Sequence, residues 1–126
     1  MKNYEDMSDF EINVAVFEAI HNGSPDYKEG ENGDMVLVSF DGDIVNGDAV
    51  EVEVEHGSFN PCANPSDAEP IIVENRIGII PAPENGLWKA AHRKVGSDSN
   101  PYHMTQDENP LRAAMIVFLK MNEDKL

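Results

Sequence analysis

The sequence predicts a single α+β domain in which about three helices pack on a mainly antiparallel sheet or on two separate β-hairpins. Three patterns support this fold class. Residues 109–122 predict a helix that is apolar on nearly every side, and such a helix must be covered by protein. Residues 8–21 predict an amphipathic helix, and residues 48–55 alternate between apolar and acidic side chains as a half-buried strand does. The length of 126 residues suits one domain.

The first predicted helix, residues 8–21, begins at a capping box. The hydroxyl of Ser8 can accept a hydrogen bond from the backbone N–H of Glu11, whose carboxylate can reach back to the N–H of Ser8. Apolar residues then recur at helical spacing from Phe10 onward. Gly23 is free to take the left-handed conformation that ends many helices, so we expect it to terminate this one.

The first β-hairpin is predicted after an acidic loop at residues 24–33. Residues 35–40 predict a strand because Val, Leu and Phe dominate them. The Asp-Gly-Asp segment 41–43 indicates a turn, and residues 48–55 follow as the partner strand. One face of this second strand is apolar, and we expect it to be buried. That face consists of Val50, Val52 and Val54.

A short second helix is predicted at residues 66–75. Ser66 and Glu69 repeat the spacing of a capping box, which favours a helix start at this point. Pro70 has no N–H to donate, so we expect the helix to be kinked or tightened there. Its end carries no glycine, and the boundary near Arg76 is therefore the least defined of the three helices.

The second hairpin is predicted from two apolar runs. Residues 77–80 predict a buried strand, and residues 87–94 predict its partner through a turn at 84–86. Trp88 is expected to lie in the core, as a tryptophan on a strand usually does. Residues 96–108 are mostly polar and are predicted to form a connection without regular structure.

The predicted C-terminal helix, residues 109–122, is the element on which the rest of the chain is expected to pack. Asn109 can cap it, and Pro110 suits the first helical position because its missing N–H would be unpaired there anyway. Only Arg112, Lys120 and the ends interrupt its apolar surface. We therefore predict that this helix is the core of the domain.

The formal net charge of −15 is concentrated in the first half of the chain. Residues 1–55 contain 15 of the 24 acidic residues and only two basic ones, Lys2 and Lys28. Such a charge repels nucleic acids and anionic membranes, so we expect no direct contact with either. A basic protein partner would be attracted. The alternative is a solvated acidic surface that has no special target.

The composition is typical of a protein from a reducing compartment. Cys62 is the only cysteine, so the chain cannot form an internal disulfide. No apolar run approaches the roughly 18 residues of a membrane-spanning helix, and the first residues lack the apolar region of a signal peptide. We expect a soluble, cytoplasmic protein. The oligomeric state is open.

Motifs that carry chemistry are not found in the sequence. Numbered from Asp41 as a calcium loop, the acidic segment places Val45 and Val52 where oxygen ligands are required, so a turn is the better interpretation. The histidines, at positions 21, 56, 92 and 103, lack the short ligand spacings of zinc sites. Cys62 has no activating base beside it in sequence. We therefore predict no catalytic residue, no metal site and no cofactor.

The acidic residues of the first hairpin are the strongest candidates for an interaction site. Three glutamates on one strand face repeat about every 6.7 Å, twice the rise per residue. Such a line of carboxylates could imitate a nucleic-acid backbone, and three nearby aspartates would extend it. The alternative is a solvated face whose like charges prevent edge-to-edge aggregation. The candidate residues are Glu51, Glu53, Glu55, Asp41, Asp43 and Asp48.

Three segments of the sequence resemble the NinX family of lambdoid phages and enteric prophages. These are Met7-Ser-Asp-Phe-Glu-Ile-Asn13, Asn60-Pro-Cys-Ala-Asn-Pro65 with Pro70-Ile-Ile-Val-Glu-Asn75, and Asn109-Pro-Leu-Arg-Ala-Ala to Leu119. The resemblance implies a phage or prophage origin, the bacterial cytoplasm, and helices packed about an antiparallel sheet. It supplies no catalytic or binding residue. The acidic segment 24–56 has no clear counterpart in that pattern and is interpreted as an insertion.

These observations favour a non-enzymatic phage accessory protein that acts by contact with another protein. The first alternative is an acidic decoy that occupies the DNA-binding surface of a host protein. The second is a small enzyme whose site would gather His92, His103 and a carboxylate in a concave pocket. A continuous carboxylate surface would favour the decoy, and a flat surface with an apolar patch would favour a binding module.

Overall fold

The computed structural model describes residues 3–23, 25–83, 86–92 and 103–123, and it confirms the α+β class. Its six strands form two separate three-stranded antiparallel sheets. The elements, after a single 3₁₀ turn at Tyr4–Asp6, are α1 (Asp9–His21), β1 (Tyr27–Glu29), β2 (Met35–Val45), β3 (Asp48–Phe59), α2 (Pro65–Glu74), β4 (Gly78–Pro81), β5 (Trp88–His92), β6 (His103–Asp107) and α3 (Pro110–Glu123).

Helix α3 is the buried centre of the domain, as predicted. The side-chain oxygen of Asn109 accepts hydrogen bonds from the backbone N–H groups of Leu111 and Arg112, so the predicted cap is present. Every residue from Ala113 to Leu119 is buried. The helix packs on the sheet β4-β5-β6 and also contacts α1 and α2. One core therefore forms around it, with Ile12 and Val16 contributed by α1.

Helix α1 has the predicted capping box, but a different residue ends it. Ser8 accepts from the N–H of Glu11, and the Glu11 carboxylate accepts from the N–H of Ser8. The left-handed residue is Asn22, at φ 57°, rather than Gly23. Asparagine tolerates this conformation better than other residues with a Cβ, which explains how it can end the helix.

Helix α2 begins one residue earlier than predicted because Asn64, not Ser66, is its cap. The Asn64 side chain accepts from the N–H of Ser66, and Pro65 lies at the start of the helix, where its missing N–H costs nothing. The helix ends with Arg76 in the left-handed conformation at φ 56°. Hydrogen bonds from Arg76 N–H to the Val73 carbonyl and from Ile77 N–H to the Ile72 carbonyl complete a Schellman motif without glycine.

The first hairpin is longer than predicted, and its turn lies elsewhere. The predicted turn at 41–43 is wrong, because these residues belong to β2. The turn is Asn46-Gly47, with φ values of 53° and 84°, between the paired residues Val45 and Asp48. Two successive positive φ angles are the mark of a type I′ turn, whose twist matches that of the flanking strands.

Most of this hairpin is exposed on both faces, which corrects the expected half-buried strand. Strand β1, in the region predicted to be a loop, pairs only with Met35–Leu37 of β2. Beyond it, residues 39–55 form a two-stranded ribbon that we call the hairpin arm. Val50 and Val52 are exposed there, and so is Glu51 between them. Val54, nearer the body, is half-buried, whereas no element of the described chain buries Val50 or Val52.

The second sheet, β4-β5-β6, also differs from the predicted hairpin. Strand β6 lies in the predicted polar connection and pairs with the whole of β5. Within the described residues, α3 covers one face of this sheet, where Ala90 is buried. In the strand predicted to be buried at 77–80, Ile77 is buried as expected, but Ile80 is exposed. Trp88, expected in the core, is partly exposed at the sheet end. The turn residues 84 and 85, and residues 93–102, lie outside the described residues.

Candidate interaction surface

A buried polar cluster joins the three sequence segments that carry the family resemblance. Asn13 comes from α1, Asn60 and Cys62 from the segment before α2, and Asn109 and Arg112 from the start of α3. We call these five residues the motif cluster. They are far apart in sequence, yet they are joined by direct hydrogen bonds. The cluster therefore connects α1, the segment before α2 and the start of α3.

Asn13 is fully buried at the centre of the motif cluster. Its amide nitrogen donates to the Gly33 carbonyl and to the Asn60 side-chain oxygen, each at 2.9 Å. Its side-chain oxygen accepts from the Cys62 N–H at 3.2 Å. Both donors and the acceptor of this amide thus have partners, as a buried polar side chain requires. These bonds fix α1 to the two loops that flank β2 and β3.

Arg112 connects the first turn of α3 to the N-terminal segment. Its guanidinium contacts the Asp9 carboxylate at 2.6 Å and the Asp107 carboxylate at 3.1 Å, and it donates to the Met7 carbonyl at 2.6 Å. Burial lowers the pKa of Arg112, but the hydrogen bond and charge of Asp9 outweigh it, so the pKa is raised overall. The planar fork of five N–H groups suits acceptors that approach from several directions, a geometry that a single ammonium group does not reproduce.

Cys62 is a buried thiol within the same cluster. Its Sγ lies 3.9 Å from the Asp9 carbonyl, and its carbonyl accepts a hydrogen bond from Asn109. Burial, followed by the negative charge of Asp9, raises the pKa of Cys62 to about 12. A nucleophilic cysteine needs a lowered pKa and access to solvent, and Cys62 has neither.

We expect Cys62 in the folded protein to react with a thiol reagent at about pH 8 at least a hundredfold more slowly than free cysteine, because almost none of it is thiolate at that pH. Adding denaturant should restore the ordinary rate. The measurement is the time course of modification by a chromogenic disulfide reagent. A fast reaction in the folded protein would contradict the assigned burial and high pKa.

Two of the histidines, which have no short spacing in the sequence, are neighbours in the second sheet. His92 and His103 are directly opposite each other on β5 and β6. Among the described residues, His92 Nδ1 is the one buried side-chain nitrogen or oxygen without a hydrogen-bond partner. No group of three or more potential metal ligands occurs in the described ranges. A groove of about 320 Å³ lies between Ile20, Ile71 and Phe118, and neither histidine lines it.

The hairpin arm is where the structure places all six candidate residues, but on two faces. Partners across an antiparallel pair share a face. Glu51 and Glu53 are paired with Gly42 and Phe40, so the glutamate row lies on the Phe40 face. The three aspartates share the opposite face with the exposed valines. These aspartates are Asp41, paired with Val52, Asp43, paired with Val50, and Asp48, paired with Val45. The residues therefore do not form the single carboxylate face that the sequence suggested.

Apolar side chains alternate with the carboxylates on the arm. Ile44 is 73% exposed and Phe40 is 49% exposed, although both are large enough to be core residues. Val45, Val50 and Val52 are also exposed. Phe40 and Ile44 share a face with the glutamates, and the valines share the other face with the aspartates. Large exposed apolar side chains grouped on a charged ribbon are a feature of interaction sites. Sequence analysis missed this apolar component because the valines were assigned to the core.

Lys28 of β1 partly neutralises the glutamate row. Its amine lies 2.7 Å from Glu53 and 2.7 Å from Glu55, so one cation bridges two carboxylates of the row. The hydrogen bonds to Glu53 and then to Glu55 raise the pKa of Lys28. Glu51, nearer the turn, is exposed and has no ion pair within the described residues. The unneutralised carboxylates are therefore at the outer half of the arm.

Comparison with known proteins agrees with the sequence resemblance. A family model described as "Bacteriophage P22, NinX" matches residues 3–122, which confirms the resemblance drawn from the three segments. A search of the curated proteins found no match. In the described ranges, no helix combines the length and the apolarity that crossing a bilayer requires.

Proposed function

This chain belongs to the bacteriophage P22 NinX family, and we propose that it is a non-enzymatic phage accessory protein that binds another protein through the hairpin arm. The observation that carries the proposal is the exposure of both faces of the arm, with Phe40 and Ile44 open to solvent. A two-stranded ribbon of this kind contributes little to the core and is only marginally stable by itself, so its exposed apolar side chains indicate a binding role. We place the protein in the cytoplasm of the bacterial host.

The partner is expected to be basic. The arm contains six carboxylates and no lysine or arginine, and Lys28 reaches only the two glutamates nearest the body. Complementary charge speeds association and selects against acidic partners. The exposed apolar residues would supply the contact area that is removed from water. The arm therefore fits a surface on which lysine or arginine side chains alternate with apolar ones.

The acidic decoy is less well supported than a binding module. Imitation of a nucleic-acid backbone needs a continuous line of charge, whereas the arm divides its carboxylates between two faces. Lys28 also neutralises part of the glutamate row. We therefore treat displacement of DNA from a host protein as a separate outcome of the experiment.

The experiment captures proteins from a bacterial lysate on three immobilised forms. They are the wild type, a triple variant with Glu51, Glu53 and Glu55 changed to Gln, and a matched triple variant with Asp41, Asp43 and Asp48 changed to Asn. Both variants lose three charges, but on opposite faces. We expect the Gln variant to recover at least one partner about tenfold less well, equivalent to about 1.4 kcal/mol, and the Asn variant to retain it.

Equal recovery of every protein by all three forms would refute the proposal. Equal losses with both variants would also count against it, because a response to net charge alone does not require this surface. Captured partners are then tested on immobilised DNA in the presence of the free protein. Release of a partner from DNA by the wild type, but not by the Gln variant, would select the decoy.

A further inference from the structure

The outer edge of β3 is an open strand edge in the described part of the chain. The sheet order is β1-β2-β3, so β3 has a neighbour on one side only. Residues 39–45 of β2 also lack a neighbour on the side away from β3, because β1 pairs only with Met35–Leu37. Natural proteins usually shorten or cover such edges, since unpaired N–H and C=O groups are a template for another strand. Here the open edge of β3 extends over the length of the arm.

The register identifies the backbone groups that point outward from this edge. The Val38 N–H donates to the Asp26 carbonyl on the β1 side, so alternate residues of β2, namely Phe40 and Gly42, point the same way. Their partners in the ladder are Glu53 and Glu51. In an antiparallel pair, residues that are not hydrogen-bonded to each other direct their backbone groups to opposite outer edges. The outward-pointing backbone groups of β3 within the arm therefore belong to Ala49, Glu51, Glu53 and Glu55.

We propose that the outer edge of β3 accepts an extended segment of the partner, bearing alternate lysine or arginine residues, as an additional antiparallel strand. This inference rests on the proposed function and specifies its mode of binding. Strand addition obtains affinity from main-chain hydrogen bonds and specificity from alternate side chains. Residues of the added strand opposite Glu51 and Glu53 would share a face with those carboxylates, which favours cationic side chains there.

Lys28 shows how a lysine side chain can contact the glutamate row. Lys28 already binds two successive members of the glutamate row at 2.7 Å each, so the row can hold an amine between neighbouring carboxylates. A second copy of the chain is a poor occupant of the edge. It would bring another six arm carboxylates to the same place, and like charges opposite each other are destabilising.

The test uses a short peptide that alternates lysine with valine or threonine, together with a control peptide of the same side chains in which alternate amides are N-methylated. Methylation removes the donors along one peptide edge but keeps the charge. With the full chain, the affinity for each peptide is measured by isothermal titration calorimetry, and amide hydrogen exchange is measured by NMR. The unmodified peptide should bind at least about tenfold more tightly, and it should slow exchange at Ala49, Glu51 and Glu53.

Three results would overturn the inference. Equal affinity of the two peptides would mean attraction by charge alone, and protection at Phe40 and Gly42 would place the strand on the other edge. If amide exchange at Ala49, Glu51 and Glu53 becomes slower as the concentration of the free protein is raised, a second copy of the chain is the occupant. A Glu51→Gln and Glu53→Gln double variant should weaken the unmodified peptide by about tenfold. If neither peptide binds while capture from lysate still depends on the glutamates, the proposed function stands and strand addition alone is refuted.

Discussion

Replacing Arg112 by methionine is expected to lower the free energy of unfolding by about 2–4 kcal/mol. The variant keeps roughly the length and the apolar stem of the side chain but removes every side-chain N–H donor. Asp9 and Asp107 are then left without their cation. The Arg112 side chain is only 12% exposed, so water replaces these contacts poorly. The measurement is urea-induced unfolding followed by circular dichroism.

Two further variants separate charge from geometry at Arg112 and provide a control at a surface ion pair. Arg112→Lys keeps the charge but loses the fork, and we expect a smaller loss of about 1–2 kcal/mol. Lys28→Met removes two exposed ion pairs and should leave the unfolding curve nearly unchanged. If Arg112→Met unfolds at the same urea concentration as the wild type, the motif cluster does not hold the N-terminal segment.

The Asn13→Asp variant is expected to lose about 3 kcal/mol or more at about pH 8. The substitution keeps the shape of the side chain, but a carboxylate oxygen replaces the amide nitrogen that donates to Gly33 and Asn60. An uncompensated charge would then be buried against two acceptors. Its pKa in the folded protein would be raised, because both burial and the neighbouring oxygens disfavour ionisation.

The pH dependence of this variant follows from that raised pKa. The penalty is fully present above the folded-state pKa, and it falls as the pH drops through that value, because the protonated carboxyl can donate one hydrogen bond again. Unfolding free energies of wild type and variant, measured at about pH 8 and about pH 5, should therefore converge at the lower pH. A constant difference would show that residue 13 is not buried among acceptors.

The elements that sequence analysis predicted well are those with strong local signals. Helix α1 has both halves of its capping box within four residues, and α3 combines Asn109 and Pro110 at its start with a long apolar run. These patterns depend on neighbours along the chain. They therefore survive in the folded structure regardless of how the elements pack.

The strands that were missed depend on partners distant in sequence. Strand β1 has three residues and β6 has five, and neither has a clear apolar alternation. The misplaced turn is a different case, because Asn46-Gly47 is a strong hairpin signal that was present in the sequence. A turn at Asp41-Gly42-Asp43 requires a strand that ends at Phe40, whereas β2 continues to Val45. The longer hairpin then made the valine face of β3 exposed rather than buried.

The candidate site could be predicted only in part. All six acidic residues lie on one hairpin, as expected, but their division between two faces depends on the register of β2 and β3. The motif cluster could not be predicted, because it requires contacts between Asn13, Asn60 and Asn109 that only the folded chain creates. The resemblance segments thus coincide with residues that hold the fold together, whereas the proposed interaction surface lies outside them.

A shortened hairpin tests this division between fold and function most directly. Residues 40–53 are replaced by Asn-Gly, so that Ser39 and Val54, which are paired in the native register, flank the new turn as Val45 and Asp48 flank the native one. The account predicts an unfolding free energy within about 1 kcal/mol of the wild type, because the removed residues bury little apolar surface, together with loss of the proteins captured from lysate. Unchanged capture, or a large loss of stability, would contradict it.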